Sequence, residues 1–323
     1  MSKVMITGAA GFIGSHLVEK LIELGYEVRA FVRYNSRNYW GWLEDCRYRE
    51  DIDFYPGDIR DFDSVYKGMK GCTGVIHLAA LIGIPYSYIH PLAYIKTNIE
   101  GTYNILESAR QLAIENLIIT STSEVYGTAQ YTPIDEKHPI NPQSVYAATK
   151  SAADSIAQSY YLSYNLPVKI ARPFNTYGPR QSARAIIPTI ITQVLTTNKI
   201  RIGALDPTRD FTFVDDIVEG LVRIFKNDNC IGEAINLGSG EEISIGELAK
   251  NVAKIIGKNI EITTVEERLR PESSEVRQLL SDYTKAKKLL GWQPQTNLDR
   301  GLRITIDWFK DHLELYKPGM YNI

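Results

Sequence analysis

Short runs dominated by apolar residues alternate with longer amphipathic segments along the first half of the chain. Such runs are typical of parallel strands buried on both faces, and they predict strands at 4–6, 27–32, 53–55, 75–80, 117–120 and 168–171. Segments with apolar residues on one helical face predict helices at 15–24, 98–112 and 145–164. This alternation predicts an α/β fold, a Rossmann-like doubly wound parallel sheet.

Beyond Arg172 the alternation becomes less regular, because proline and glycine interrupt it. Helices are predicted at 186–196, 214–225, 245–256 and 284–290. We therefore expect a dinucleotide-binding domain at 1–172, to which later segments return, and a smaller mixed α/β domain at 173–323. Ligands of such sheets bind beyond the carboxyl ends of the strands, so we expect the smaller domain to cover that edge and to bind the substrate.

Three glycines separate the first predicted strand from the first predicted helix. Gly8, Gly11 and Gly14 form a G-x-x-G-x-x-G turn. A strand, a glycine turn and a helix together point backbone N–H groups at a pyrophosphate. Gly8 would allow the tight turn, Gly11 the approach of the phosphates, and Gly14 the close packing of the helix. A glycine triplet alone is often only a turn, but its position between strand and helix favours dinucleotide binding.

The end of the second strand usually discriminates between NAD and NADP. An acidic residue there binds the ribose hydroxyls of NAD, whereas this sequence has Arg33, Ser36 and Arg37. Arginine and serine side chains can hold a 2′-phosphate by charge-assisted hydrogen bonds. The loop therefore favours NADP over NAD, the alternative being a solvated basic loop.

Two further segments are assigned to the adenine side of the cofactor. Asp58 follows the third strand and is placed to meet the adenine ring. The insertion 38–50, which begins at Asn38 and contains Trp40 and Trp42, is expected to pack over the adenine or at a subunit contact.

Composition and charge exclude several classes of function. The formal net charge is -2 and no block of like charges occurs, so we expect no nucleic-acid partner. No apolar run is long enough to span a bilayer, and the N-terminus leads directly into the first strand, which leaves no room for a signal peptide. The three cysteines are isolated and the five histidines show no metal-ligand spacing. These features predict a cytoplasmic protein without a metal.

Hydroxyl-bearing residues at the end of the fifth strand precede a tyrosine–lysine pair. The segment Thr120-Ser-Thr-Ser-Glu-Val-Tyr-Gly127 is followed by Tyr146 and Lys150, which share a helix face at i and i+4. The Lys150 ammonium is expected to lower the pKa of Tyr146 toward neutrality. Such a tyrosine can accept the proton of an alcohol while a hydride leaves the same carbon. On its own, such a pair is common on helix surfaces.

Together, the glycine turn and the Tyr-x-x-x-Lys pair resemble the extended short-chain dehydrogenase/reductase superfamily, whose members mostly act on nucleotide-linked sugars. The resemblance covers nearly the whole chain and includes Asn98, the segment 172–180, Arg209-Asp-Phe with Val214-Asp-Asp, and Leu290-Gly-Trp. It implies a nucleotide-linked sugar as substrate and a tightly bound, recycled NADP or NAD.

The resemblance also implies roles for individual residues. The catalytic residues would be Thr122, Ser123, Glu124, Tyr146 and Lys150. The cofactor would contact Gly8, Gly11, Phe12, Ile13, Gly14, Arg33, Ser36, Arg37, Asp58, Ile59, Leu78, Ala79, Ala80, Thr97, Tyr146, Lys150 and Pro173. Asn175, Arg180 and Arg209 would lie near the substrate's diphosphate, and Arg270 and Glu275 near its nucleotide.

The residues after Thr122 indicate the reaction. Epimerases of the superfamily tend to have small or neutral residues there, whereas Glu124 adds a carboxylate suited to removing a C5 proton once C4 is a ketone. Thr122-Ser123-Glu124 is similar to the GDP-mannose type of sugar-nucleotide 4,6-dehydratase and to UDP-glucuronate decarboxylases. Glucose-type dehydratases have an Asp in place of Ser123, so here Glu124 or a water would protonate the leaving hydroxyl.

Three segments favour a GDP-linked substrate. The strand end at Arg33 and the Arg270-Pro271 pair before Glu275 are similar to GDP-mannose 4,6-dehydratase. The loop from Arg33 with its two tryptophans, and the segment 175–184, look most like the GDP-N-acetylglucosamine 4,6-dehydratases of legionaminic acid pathways. The implied reaction is oxidation at C4, loss of water from C6 and return of the hydride, which gives a 4-keto-6-deoxy sugar.

Other readings remain open from sequence. A UDP-glucuronate decarboxylase needs a cation for the sugar carboxylate, a 4-epimerase is disfavoured by Glu124, and a non-catalytic NADP sensor is disfavoured by Thr122, Tyr146 and Lys150. The helices at 98–112 and 145–164 are expected to form a four-helix interface in a homodimer or a dimer of dimers, unless their apolar residues are simply core.

Overall fold

A seven-stranded parallel sheet forms the centre of the molecule. The computed structural model describes residues 2–37, 39–318 and 320–321. Its strands are β1 (Lys3–Thr7), β2 (Glu27–Arg33), β3 (Ile52–Gly57), β4 (Gly74–His77), β5 (Asn116–Thr120), β6 (Val168–Pro173), β7 (Asn175–Tyr177), β8 (Lys199–Ile202), β9 (Thr208–Phe213), β10 (Ala234–Leu237), β11 (Glu242–Ser244), β12 (Glu261–Thr264) and β13 (Gln278–Leu279). The large sheet has the order β10-β6-β5-β4-β1-β2-β3, which confirms the predicted Rossmann-like class.

Helices cover both faces of this sheet. They are α1 (Phe12–Glu23), α2 (Phe62–Met69), α3 (Ile84–Ile89), α4 (Pro91–Tyr94), α5 (Gly101–Gln111), α6 (Val145–Tyr164), α7 (Ile186–Thr196), α8 (Val214–Lys226), α9 (Ile245–Ile256), α10 (Thr284–Leu290) and α11 (Leu298–Asp311). Adjacent residues of β1 point to opposite faces, as the period of two requires. Val4 and Ile6 therefore join the core beneath α1 and α8, and Met5 joins the core beneath α2, α5 and α6.

Local capping explains why several helix ends match the prediction. The Ser144 side chain accepts a hydrogen bond from the Ala147 amide at the start of α6, and Asn165 ends the helix in the left-handed conformation. Helix α9 begins with a capping box formed by Ser244 and Glu247. The predicted bounds 145–164, 186–196, 245–256 and 284–290 are those observed.

Other elements differ from the prediction. The helix predicted from Asn98 continues upstream through a π-helical turn at Ile95–Glu100, so α5 itself begins at Gly101. Helices α2, α3, α4 and α11 and the strands after β6 were not predicted. Helix α11 has a regular apolar face, with Leu302, Ile306 and Phe309 buried, so its pattern was overlooked.

The chain crosses more than once between the large sheet and the smaller region. Strand β10 pairs with β6, and α8 packs on the same face as α1. The smaller region contains a four-stranded sheet around β9, which pairs antiparallel with β11 and parallel with β7 and β13. A parallel pair of β8 and β12 adjoins it. Within the described residues, no helix combines the length and apolarity needed to cross a membrane.

Candidate active site

A cavity of about 1260 Å³ lies between the two regions, at the carboxyl ends of the parallel strands. It brings together nearly all the residues predicted for the site. Those on its wall are Gly8, Gly11, Phe12, Ile13, Gly14, Arg33, Asp58, Ile59, Leu78, Ala79, Ala80, Thr97, Thr122, Glu124, Tyr146, Lys150, Pro173, Asn175, Arg180, Arg209, Arg270 and Glu275. Ser36, Arg37 and Ser123 are not on the wall.

The glycine turn leaves room for a ligand at the start of α1. Gly8 has φ of +70°, and a Cβ there would lie 2.8 Å from the Ala79 nitrogen. A Cβ on Gly14 would lie 2.2 Å from the Gly8 carbonyl oxygen, so the helix packs directly on the turn. The N-cap residue is Gly11, and no side chain caps the helix. Free backbone N–H groups at a helix N-terminus suit a pyrophosphate, so the residues present fit a dinucleotide.

The loop after β2 differs from the expectation for a phosphate-binding loop. The Asn35 Oδ1 accepts hydrogen bonds from the backbone nitrogens of Arg37 and Tyr39, each at 3.1 Å. This Asx turn leaves Ser36 and Arg37 exposed and away from the cavity. Of the three residues predicted to bind the cofactor's phosphate, Arg33 lines the cavity, and Ser36 and Arg37 do not.

The tryptophans of the following insertion make contacts within the chain. Trp40 stacks on Phe54 with ring centroids 5.4 Å apart, and Trp42 meets Trp308 of α11 edge-on at 5.5 Å. Trp42 also lines the cavity. Asn38, the first residue of the predicted insertion, lies outside the described residues.

Asp58 reaches the cavity as part of an ion pair that sequence reasoning missed. Arg60 Nε donates to Asp58 Oδ1 at 3.0 Å and its Nη2 donates to Oδ2 at 2.5 Å. The Arg60 guanidinium is the main reason that the pKa of Asp58 lies below its usual value. A carboxylate that stays ionised at this edge can accept a hydrogen bond from an adenine amino group.

The predicted catalytic residues meet where β5 ends against α6. Thr122 caps the short 3-10 turn that follows β5, and its Oγ1 accepts a hydrogen bond from the Glu124 amide at 3.2 Å. The Thr122 side chain also hydrogen-bonds to Tyr146. Lys150 Nζ donates to the Thr120 carbonyl at 2.7 Å. Glu124 is 8% exposed, and its carboxylate has no salt bridge or side-chain hydrogen bond within the described part of the chain.

The ionisation of the tyrosine differs from the expectation. Burial raises the pKa of Tyr146 above its usual value; the Thr122 hydrogen bond opposes this shift and the Glu124 charge adds to it. Lys150, which was expected to lower this pKa, donates to the Thr120 carbonyl, and the effect of burial on Tyr146 prevails. Burial also lowers the pKa of Lys150 to about 8, against the attraction of Asp154.

Ser123, which was predicted to be catalytic, does not line the cavity. It is buried in the 3-10 turn and off the cavity wall. Its neighbour Ser121 lies on the wall and donates a hydrogen bond to Asp154 Oδ2 at 2.8 Å. The sequence alone does not distinguish these two serines. The path of the chain after β5 places Ser121 on the cavity wall and Ser123 away from it.

A cationic cluster lies in the cavity wall formed by the smaller region. Arg209 Nη2 and Arg270 Nη1 lie 3.2 Å and 3.4 Å from the same Glu275 oxygen, Oε1. Two guanidinium groups thus share the Glu275 carboxylate, and the Glu124 carboxylate also acts on the charge of Arg209. Burial lowers the pKa of Arg209. Asn175 Oδ1 is buried nearby on the wall without a hydrogen-bond partner among the described residues.

Arg180, which was predicted to lie near the substrate's diphosphate, forms an ion pair with Glu19. Its guanidinium forms two hydrogen bonds to Glu19 on α1, at 3.1 Å and 2.9 Å. The residue lines the cavity, but its charge is paired with α1 rather than free for a diphosphate.

Several residues on the cavity wall were not predicted from the sequence to belong to the site. Arg184 is exposed to the cavity, and a Cβ placed on Gly83 would lie 2.9 Å from its Nη1. Near the C-terminus, the Arg268 guanidinium lies 4.6 Å from the centre of the Tyr321 ring. Among the described residues, no cluster of histidine, cysteine and carboxylate side chains is arranged to hold a metal ion.

Comparison with known proteins identifies the family. The profile described as GDP-mannose 4,6-dehydratase matches residues 5–305. The chain belongs to this family. It is an extended short-chain dehydrogenase/reductase, a family of NAD-dependent nucleotide-sugar dehydratases and epimerases.

The relatives of this protein are named for different reactions. It is 34% identical to a UDP-glucuronate 4-epimerase of Thermodesulfobacterium geofontis over 98% of this chain and 99% of that protein. It is 31% identical to UDP-glucuronic acid decarboxylase 1 of Xenopus tropicalis, over 99% and 75% of the two chains. The dTDP-glucose 4,6-dehydratase of Streptomyces venezuelae, solved with NAD, superposes with a TM-score of 0.89 at 26% identity, covering 98% and 99% of the chains.

Proposed function

We propose that this protein is a nucleotide-sugar 4,6-dehydratase acting on GDP-linked N-acetylglucosamine or a GDP-linked hexose to give a 4-keto-6-deoxy sugar. The observation that carries the proposal is Glu124, a buried carboxylate on the cavity wall that is not paired within the described residues. The Glu124 carboxylate faces the cavity with Arg209 as a charged neighbour, and a base able to remove a C5 proton is its most direct use.

The chain's own residues divide the chemistry between them. Tyr146, hydrogen-bonded to Thr122, exchanges a proton with the 4-hydroxyl. Glu124 removes the C5 proton, which is acidic once C4 is a ketone, and water leaves from C6. Lys150 supplies positive charge on the same helix face as Tyr146.

A nicotinamide dinucleotide, when bound, supplies reversible hydride transfer. The uncapped N-terminus of α1, the glycine turn and the small residues Ala79 and Ala80 would hold it. Arg33 supports NADP over NAD, because it places a cation on the cavity wall at the end of β2.

The paired cations of the smaller region support a nucleoside diphosphate as the substrate's carrier. Arg209 and Arg270 lie together on the cavity wall beside Glu275, and guanidinium groups bind diphosphates by charge-assisted hydrogen bonds. The sequence similarity at Arg33 and at Arg270-Pro271 supports guanine as the base.

A second candidate is a reaction on a UDP-linked uronate, as in the decarboxylase and epimerase relatives. The observation that favours it is Arg184, a cation on the wall beside Gly83 and Tyr94. A guanidinium there could bind the sugar carboxylate that a 6-hydroxy sugar lacks.

We also propose a homodimer in the cytoplasm. Exposed apolar side chains lie on the helices expected at the interface, including Tyr103 at 45%, Leu162 at 70% and Tyr164 at 55% exposure. Cys46, Cys72 and Cys230 are free thiols, as in proteins of a reducing compartment.

The deciding experiment is a substrate panel analysed by mass spectrometry. The protein is incubated with GDP-, UDP-, dTDP- and CDP-linked sugars, including UDP-glucuronate. Loss of water from a GDP-sugar supports the proposal. Loss of carbon dioxide from UDP-glucuronate would replace it with the decarboxylase, and a change of retention time without a change of mass would indicate an epimerase.

A further inference from the structure

A buried ion pair lies beneath the catalytic turn. Asp154 follows Lys150 by one helical turn on α6, and the side chains of both are almost fully buried. Arg172 of β6 contacts Asp154 Oδ2 through Nη2 at 3.0 Å and through Nε at 3.1 Å. Ser121 Oγ donates to the same oxygen at 2.8 Å. The proposed mechanism gives this pair no role.

The arginine is itself fixed from the far side. Its Nη1 donates to the Tyr126 hydroxyl at 2.9 Å, which donates to Asn236 Oδ1 of β10 at 2.8 Å. The guanidinium also lies 5.1 Å from the centre of the Tyr126 ring. Asp154 is therefore held against a rigid cation, and the whole assembly is tied to two strands of the large sheet.

One oxygen of the carboxylate remains unpaired. Asp154 Oδ1 is buried without a hydrogen-bond partner among the described residues. Burial raises the pKa of Asp154, whereas the Arg172 charge and the Ser121 hydrogen bond favour its ionised form. Lys150 lies one helical turn away on the same face of α6, and the charge of Asp154 favours the charged form of the lysine.

The other ionisable groups near Lys150 do not provide the same effect. Those facing it or its neighbours are His77 on β4, Glu124 after β5, Arg172 on β6, and Tyr146 and Asp154 on α6. His77 hydrogen-bonds to Thr7 at 2.7 Å, and burial lowers its pKa to about 3, so it is neutral. Tyr146 carries no charge until it ionises. Asp154, and not Glu124, raises the pKa of Lys150.

We infer that Asp154 is a positioning residue that keeps Lys150 charged, and that Arg172 and Ser121 hold Asp154 in place for this task. The inference rests on the proposed function in taking Lys150 as part of the active site. The ammonium donates to the Thr120 carbonyl, and Ser121 is the next residue along the chain. The same carboxylate thus acts on both sides of the catalytic turn, on the lysine through its charge and on the backbone through a serine.

The test compares Asp154→Asn with the wild type. The variant keeps the shape of the side chain and a hydrogen-bond acceptor for Ser121 but removes the charge. A charged group within a few ångströms shifts a neighbour's pKa by about 1–3 units. Without it, the NMR titration midpoint of the Lys150 ¹⁵Nζ signal, identified by its loss in Lys150→Arg, should fall by about 1 unit or more. The alkaline limb of kcat should move to lower pH by a similar amount, with KM nearly unchanged.

Asp216→Asn is the matched control. Asp216 is 6% exposed, as Asp154 is, and it accepts hydrogen bonds from the backbone nitrogens of Gln295 and Thr296 away from the cavity. This variant should lose thermal stability without moving the Lys150 midpoint. Asp154→Glu should restore most of the shift.

An unchanged Lys150 midpoint in Asp154→Asn would overturn the inference, even if Tm fell. If that variant does not fold, Ser121→Ala takes its place: it weakens the hold on the ionised carboxylate, and we expect a smaller shift in the same direction. No shift there would also overturn the inference. Because the NMR midpoint needs no substrate, this result is independent of whether the proposed reaction is correct.

Discussion

Glu124 and Tyr146 face the same cavity from different elements, and the carboxylate of Glu124 raises the pKa of the Tyr146 phenol. Two proton-transferring groups thus reach one substrate site from different elements, which suits a reaction in which an alcohol and then a C–H bond are deprotonated in sequence.

Replacing Glu124 with Gln should separate these two steps. The amide cannot accept the C5 proton, so loss of water should fall by about 10²- to 10⁴-fold, while slow reduction of the cofactor persists. Stopped-flow absorbance of the reduced nicotinamide and mass spectrometry of the product measure the two steps.

Glu136→Gln provides the matched control. Glu136 is partly buried, and its carboxylate accepts a hydrogen bond from the Asn236 backbone nitrogen outside the cavity. Loss of water at the parental rate in Glu124→Gln would show that another group is the base.

The two predicted diphosphate arginines should differ in importance. Arg209→Met removes a buried cation, and KM for the nucleotide sugar should rise about 10- to 100-fold, since a charge-assisted hydrogen bond contributes about 1.5–3 kcal/mol. Arg180→Met should raise KM much less, because its guanidinium is bound to Glu19. Steady-state kinetics test both, and an equal effect of the two variants would contradict the positions observed here.

Cofactor preference should depend on Arg33 and not on Arg37. Arg33 lies on the cavity wall, whereas Arg37 is exposed outside it. Arg33→Ala should weaken NADP binding about 10-fold or more, with little effect on NAD, because a charge-assisted contact to the 2′-phosphate is lost. Isothermal titration calorimetry with both dinucleotides measures the change. A similar loss in Arg37→Ala would mean that the loop after β2 folds inward on binding.

Lys150 should give the reaction an alkaline limit. Its pKa is lowered to about 8 by burial, so the charged form is present below that pH and is lost above it. We expect kcat to decline as pH rises through about 8, well before an exposed lysine would titrate near 10.4. Rates on saturating substrate across pH 6–10, about the range in which both forms occur, test this, and a flat profile would exclude a charged Lys150 from the rate-limiting step.

Gly14→Ala should disrupt the packing of α1 against the glycine turn. The added Cβ would lie 2.2 Å from the Gly8 carbonyl oxygen, so α1 must move away, at a cost of about 1–3 kcal/mol and with loss of dinucleotide binding. Gly246→Ala is a suitable control, because its Cβ meets nothing closer than 3.5 Å. Thermal denaturation with and without cofactor distinguishes the two.

Sequence patterns were most informative where local rules decide the structure. Helix α6 runs from Val145 to Tyr164 as predicted, because Ser144 caps it and Asn165 ends it. The glycine turn and the Tyr146–Lys150 spacing also follow from local geometry, and the parallel sheet follows from the repeated alternation of strand and helix.

Sequence patterns did not predict the features that depend on contacts between residues far apart in the chain. Nothing local to Arg180 indicates that Glu19 will bind it. The Asx turn at Asn35 is different, because it is a local feature that the sequence analysis overlooked. The pKa of Tyr146 is set by burial, which depends on elements from the whole chain. The helical spacing placed Lys150 near the tyrosine but did not show that the Thr120 carbonyl would bind it.

The return of α8 and β10 to the large sheet makes the two regions inseparable. A fragment ending at Arg172 would lack α8, whose apolar residues bury Leu17 and Leu21 of α1 in a common core, and would leave β6 as an unpaired edge. Exchanging the C-terminal segment with that of a relative would therefore replace part of the core beneath α1 as well as the cavity wall.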